Sequence, residues 1–143
     1  MEYISCSDPR VWGDSDARTI QNAIALAKQE GCDQVVIPRR NARTGEAVWH
    51  IDENIVLPSS MTVILSGAYL RAADDLPVHV FCTELSQEEL HDIRILGAGE
   101  ATIDGGAWTC ENRPEYYHEQ SPEEYPDGCD YDLISLFNVR NFE

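Results

Sequence analysis

The 143 residues carry ten Lys+Arg against twenty-six Asp+Glu, a formal net charge of −16. That length is one ordinary domain or a piece of a larger one. With 43% hydrophobic and 25% charged residues the chain can bury a core, which excludes disorder throughout. A field of this sign repels phosphate backbones and anionic lipid surfaces, so neither nucleic acid nor a membrane is expected as a partner.

The first residues, Met1-Glu2-Tyr3-Ile4-Ser5-Cys6, show no basic stretch followed by an apolar one, so no signal peptide is read there. The most apolar stretch, Met61-Thr-Val-Ile-Leu-Ser-Gly-Ala-Tyr-Leu70, is about half the ~20 residues of a membrane span. Cys6, Cys32, Cys82, Cys110 and Cys129 form an odd set without close pairs. Reduced thiols in a cytoplasmic protein are the simplest expectation.

A helix is expected over about 16–30. Gly13-Asp14-Ser15-Asp16 offers short polar residues to cap its amides, and acids suit the positive end of its dipole. Capping accounts for Asp14 and Asp16 without a metal. Ile20, Ala23, Ile24 and Ala27 recur at three- and four-residue spacing as one apolar stripe. Gly31 supplies the left-handed residue that stops the helix.

Beyond the helix come short β-branched runs separated by Gly, Pro, Ser, Asn and Asp. They begin with Gln34-Val-Val-Ile37, stopped by Pro38, then Ala47-Val-Trp-His-Ile51 and Asn54-Ile-Val-Leu57, stopped by Pro58. Met61-Thr-Val-Ile-Leu65, Ala68-Tyr-Leu70, Val78-His-Val-Phe81, Asp92-Ile-Arg-Ile-Leu96, Ala101-Thr-Ile103 and Leu133-Ile-Ser-Leu136 follow. Ser86, three residues before Glu89, suits one capped turn. Residues 62–70 and 92–103 read as weak copies of one strand–corner–strand unit. One helix followed by many short strands predicts an all-β fold: a right-handed parallel β-helix with an N-terminal capping α-helix, incomplete at its C-terminal end. The coils are expected over about 34–104 and 133–143, with an acidic insertion over about 109–132.

The same residues carry a resemblance. Gly13-Asp-Ser-Asp-Ala-Arg-Thr-Ile-Gln-Asn-Ala-Ile24 resembles the Asp-rich turn and helix that open pectate-lyase-like right-handed parallel β-helices. Ile55-Val-Leu-Pro-Ser-Ser-Met-Thr-Val-Ile-Leu-Ser-Gly-Ala-Tyr-Leu70 resembles their first full coil. Ile95-Leu-Gly-Ala-Gly-Glu-Ala-Thr-Ile-Asp-Gly-Gly-Ala-Trp108 is similar to early coils of polygalacturonase-type glycoside hydrolases, and Leu133-Ile-Ser-Leu-Phe-Asn-Val-Arg-Asn-Phe142 to the next. The resemblance implies inverting hydrolysis of pectin-type or related plant oligosaccharides, with a carbohydrate substrate as partner. It assigns no catalytic residue within these 143 residues. The family's Asn-x-Asp, Asp-Asp, Gly-His-Gly and Arg-x-Lys motifs are absent in family context, and Asp74-Asp75 is too early and lacks the flanking glycine. The chain is therefore expected to be the N-terminal portion of a longer enzyme, its catalytic residues beyond 143. A non-enzymatic solenoid of tail-spike or adhesin type, or a lyase of the same fold, are the alternatives.

Residues 109–132 hold eight acids against one Arg113, interleaved with Tyr116, Tyr117, His118, Tyr125 and Tyr131. A connector this long is functional or merely solvated. The functional reading makes it a wall of a sugar groove, with Trp108, Tyr116, Tyr117 and His118 as substrate-binding residues. Cys110, His118 and Cys129 match no paired zinc spacing. Asp127, Asp130 and Asp132 lack the ordered spacing of a calcium loop. No metal and no cofactor are expected. Arg39-Arg40-Asn-Ala-Arg43 is the one basic cluster; it can attract a uronate carboxylate or simply solubilise a loop, and the second is the simpler reading.

Overall fold

The computed structural model describes residues 2–107 and 133–143. Strand β1 (Ile4–Ser5) and a short 3-10 turn (Pro9–Val11) lead into helix α1 (Asp16–Gln29). Ten further strands follow: β2 (Gln34–Pro38), β3 (Trp49–Ile51), β4 (Ile55–Val56), β5 (Met61–Ser66), β6 (Tyr69–Ala72), β7 (Phe81–Cys82), β8 (Leu90–Ala98), β9 (Thr102–Asp104), β10 (Ile134–Ser135) and β11 (Val139–Phe142). They gather into three sheets of orders β1-β2-β5-β8-β11, β4-β7-β10 and β3-β6-β9. Every pairing is parallel.

The sequence expectation of an all-β right-handed parallel β-helix is corrected by this arrangement. The described residues form a small α/β-type domain, one helix with three parallel sheets of three to five short strands, and no β-helix solenoid is shown. The physical reason lies in the helix. Ala17, Ile20, Ala23, Ile24 and Ala27 are buried in the same cluster as Val35, Ile37, Trp49, Met61, Val63 and Ile93. Helix α1 is thus one layer of a shared core rather than a cap laid over an all-β stack. The strands also run from two to nine residues.

Local chemistry explains the helix boundaries. The cap is Ser15, whose hydroxyl accepts from the Arg18 amide at 3.1 Å; Asp14 and Asp16, the acids expected there, do not fill that position. At the other end Gly31 takes φ +71°, and the Cys32 and Gly31 amides donate to the carbonyls of Ala27 and Lys28. This closes the helix in the Schellman manner.

Asp16 is buried instead, at 3% exposure. Its Oδ1 accepts from Asn41 Nδ2 at 2.7 Å and from the Arg43 guanidinium at 2.5 Å, and its Oδ2 accepts from the His50 amide at 2.7 Å. One carboxylate thereby ties the first turn of α1 to the loop before β3 and to β3 itself. Removing one partner of a buried charged set leaves the others desolvated and unmatched, which costs about 3–5 kcal/mol. Asp16→Ala is expected to lower unfolding stability by about 3 kcal/mol in urea titrations followed by circular dichroism, while Asp14→Ala, at an exposed position, changes it little.

Candidate functional site

The outer face of the sheet β3-β6-β9 collects the chemistry. Trp49, Ile51, Leu70 and Ala72 are buried, so the alternation of a strand sends His50, Tyr69 and Arg71 outward. Parallel register then aligns His50 with Arg71 and Arg71 with Asp104, and places Tyr69 beside Thr102. Five polar residues from three separate segments therefore share one surface.

Two carboxylates organise it. The Tyr69 hydroxyl donates to Asp104 Oδ2, and the Gly106 amide donates to Asp104 Oδ1 at 2.9 Å. Arg71 pairs with Asp74 at 2.7 Å, and Asp74 also accepts from the Ala107 amide at 2.8 Å. The Ala107 carbonyl in turn accepts from the Asp75 amide at 2.9 Å, so the strand exit is held from both sides. Gly106 makes this turn possible. It sits at φ +74°, and a Cβ there would lie 2.4 Å from the Ala72 carbonyl oxygen.

The electrostatics decide what these acids can do. The Tyr69 hydroxyl, then the Gly106 amide, hold the Asp104 carboxyl below its ordinary value. The Ala107 amide, then Arg71, do the same for Asp74. The bond to Asp104 raises the Tyr69 phenol, and the pair with Asp74 raises Arg71. Both carboxylates are ionised at neutral pH. Inverting hydrolysis needs one protonated carboxyl as acid, which neither Asp74 nor Asp104 supplies in this arrangement.

Beside Tyr69 lies a cleft of about 310 Å³, lined by Arg39, Ala47, Gly67, Tyr69, Glu100 and Thr102. Gly67, in its lining, takes φ +62°, a conformation that favours glycine. The basic cluster read in the sequence is split here. Arg43 turns inward to Asp16, while Arg39 faces the cleft and has no ion pair among the described residues.

Of the residues expected to bind substrate, Trp108, Tyr116, Tyr117 and His118 lie outside the described residues, as do Cys110, Cys129, Asp127, Asp130 and Asp132. Among the described residues no group of three or more His, Cys, Asp or Glu could hold a metal. No helix among them is long and apolar enough to cross a membrane. Cys6, Cys32 and Cys82 are free and buried, and burial pushes the Cys6 thiol well up. His91 contacts Asp92 at 2.9 Å and His50 lies 3.6 Å from Glu46. Sequence reasoning missed Tyr69, Arg71 and Asp104. The alternation in Ala68-Tyr-Leu-Arg-Ala72 was the available signal for the first two.

No family model, curated protein or solved structure matches the chain.

Two outcomes follow. Gly106→Ala forces a clash with backbone and a strained φ, and is expected to destabilise by about 1–3 kcal/mol, read as a lowered urea midpoint. For Asp104 the folded value is depressed, so its contribution is complete above the ordinary 3.8 and is lost as pH falls through the lower folded value. Asp104→Asn should therefore flatten the acid limb of a stability–pH profile below about pH 4 while leaving the slope near neutrality unchanged.

Proposed function

We propose that this chain presents a saccharide-binding face of a polygalacturonase-like glycoside hydrolase acting on pectin-type oligosaccharides, with no proton-transferring residue assigned within these 143 residues. One observation carries the reading: Arg39, which has no ion pair among the described residues, and Tyr69 line one cleft. A planar guanidinium can take a uronate carboxylate through two parallel hydrogen bonds. An aromatic wall beside it gives the apolar face of a pyranose a surface to cover. The cleft volume lies at the small end of ligand pockets, suited to one sugar unit at a time. The resemblance of Gly13-to-Trp108 motifs to pectin-active enzymes supports the same class of ligand.

A second reading has its own support. The 143 residues contain no Asn-x-Asp, Gly-His-Gly or Arg-x-Lys, which favours sugar binding without bond cleavage, as in a non-enzymatic module.

The test is calorimetric titration of the whole chain with galacturonate oligomers, alongside a reducing-sugar assay. Binding is expected, and Arg39→Ala should weaken it at least tenfold, the scale of one hydrogen bond to a charged group. Affinity for an uncharged oligosaccharide equal to that for the uronate would overturn the assignment of Arg39. Release of reducing ends by these 143 residues would overturn the reading that none of them transfers the proton.

A further inference from the structure

A second concavity, built from different elements, runs between α1 and the segment joining β7 to β8. It measures about 560 Å³, inside the range of small-molecule sites. Its floor is apolar: Ile24 and Ala25 from the helix, Val56, Leu57 and Pro58 after β4, and Leu90 at the start of β8.

The polar groups around that floor are largely committed. The Gln21 amide donates to the Val56 carbonyl at 3.1 Å and accepts from the Val56 amide at 2.8 Å. Lys28, the only lysine in the chain, donates to the Ser59 carbonyl at 2.5 Å. The Ser59 hydroxyl accepts from the His91 amide at 3.0 Å, and the Ser86 hydroxyl from the Glu88 amide at 3.1 Å. Glu84 and Glu88 complete the lining. Neither carboxylate has an ion pair among the described residues.

We propose that this groove binds a small organic cation with an apolar body, of the alkyl- or arylalkylammonium class. An apolar floor rewards burial of a hydrocarbon chain or ring in proportion to area. Glu84 and Glu88 outnumber Lys28 around the groove, so its lining is net negative and the polar end that completes the site is a cation. Lys28, fixed against Ser59, repels that cation from the helix side and leaves it to Glu84 and Glu88. The chain's net charge of −16 raises the local concentration of any cation, but only an apolar body fits the floor. The site uses none of the residues of the saccharide face.

The experiment is titration of the whole chain with phenethylammonium and with its uncharged analogue 2-phenylethanol, at low and at physiological salt. The ammonium compound is expected to bind saturably, and the alcohol at least about tenfold more weakly. The double variant Glu84→Gln with Glu88→Gln should lose roughly tenfold in affinity for the ammonium and nothing for the alcohol, since both positions are exposed and each pair is modest. Ala25→Trp, at an exposed helix position, should fill the groove and abolish binding, with unchanged circular dichroism showing that the variant folds. Equal affinity for the two compounds, binding that survives Ala25→Trp, or the absence of saturable binding would each overturn the proposal. Tighter binding of a Lys-rich apolar peptide through the same residues would overturn it too, by assigning the groove to a polypeptide.

Discussion

Parallel pairing at a fixed register is the constraint on which everything else in this protein rests. Side chains alternate across a strand, so a slip of one residue would exchange the buried and exposed sets. The set Val35, Val63 and Ile95 and the set Ile37 and Leu65 come into line through pairing of β2 with β5 and β5 with β8. The same rule lines up His50, Arg71 and Asp104 on the outside of another sheet. Core and candidate site are two faces of one register, and neither can be changed without the other.

The helix is locked to that register by a buried charge. Asp16 receives three hydrogen bonds from residues twenty-five or more positions away, at a point where a helix N-terminus also favours a negative group. An apolar residue at this position would leave the Arg43 guanidinium and the His50 amide without that acceptor. The carboxylate therefore specifies how α1 sits on the loop before β3, while the Ala17–Ala27 stripe supplies the bulk of its burial. It also removes Arg43 from the basic cluster, so that Arg39 alone is offered to the cleft beside Tyr69.

The two surface sites differ in electrostatic character because their carboxylates do. Asp74 is held by Arg71 and the Ala107 amide, and Asp104 by the Tyr69 hydroxyl and the Gly106 amide. Glu84 and Glu88 lie on a loop without such partners and keep their charge for solvent or for a ligand. A net charge alone cannot separate these cases; the local pairing does.

Much of the secondary structure was legible from the chain. The three- and four-residue spacing of Ile20, Ala23, Ile24 and Ala27 marked the helix, and Gly31 marked its end. Pro38 and Ser66-Gly67 bounded strands that the structure also bounds there. These are local effects, decided by propensity and by backbone geometry within a few residues. What the sequence did not decide was how the strands assemble and how the helix joins them. The units 62–70 and 92–103, weak copies of one another, suggested an all-β coil, whereas burial of α1 in the common core makes the domain α/β. Nor could spacing reveal that Asp16 bonds to Asn41 and Arg43 rather than capping the helix, or that Tyr69 reaches Asp104 thirty-five residues on. Those contacts exist only once parallel strands, distant in sequence, are brought side by side at one register, because hydrogen bonding between side chains depends on position in space and not on separation along the chain.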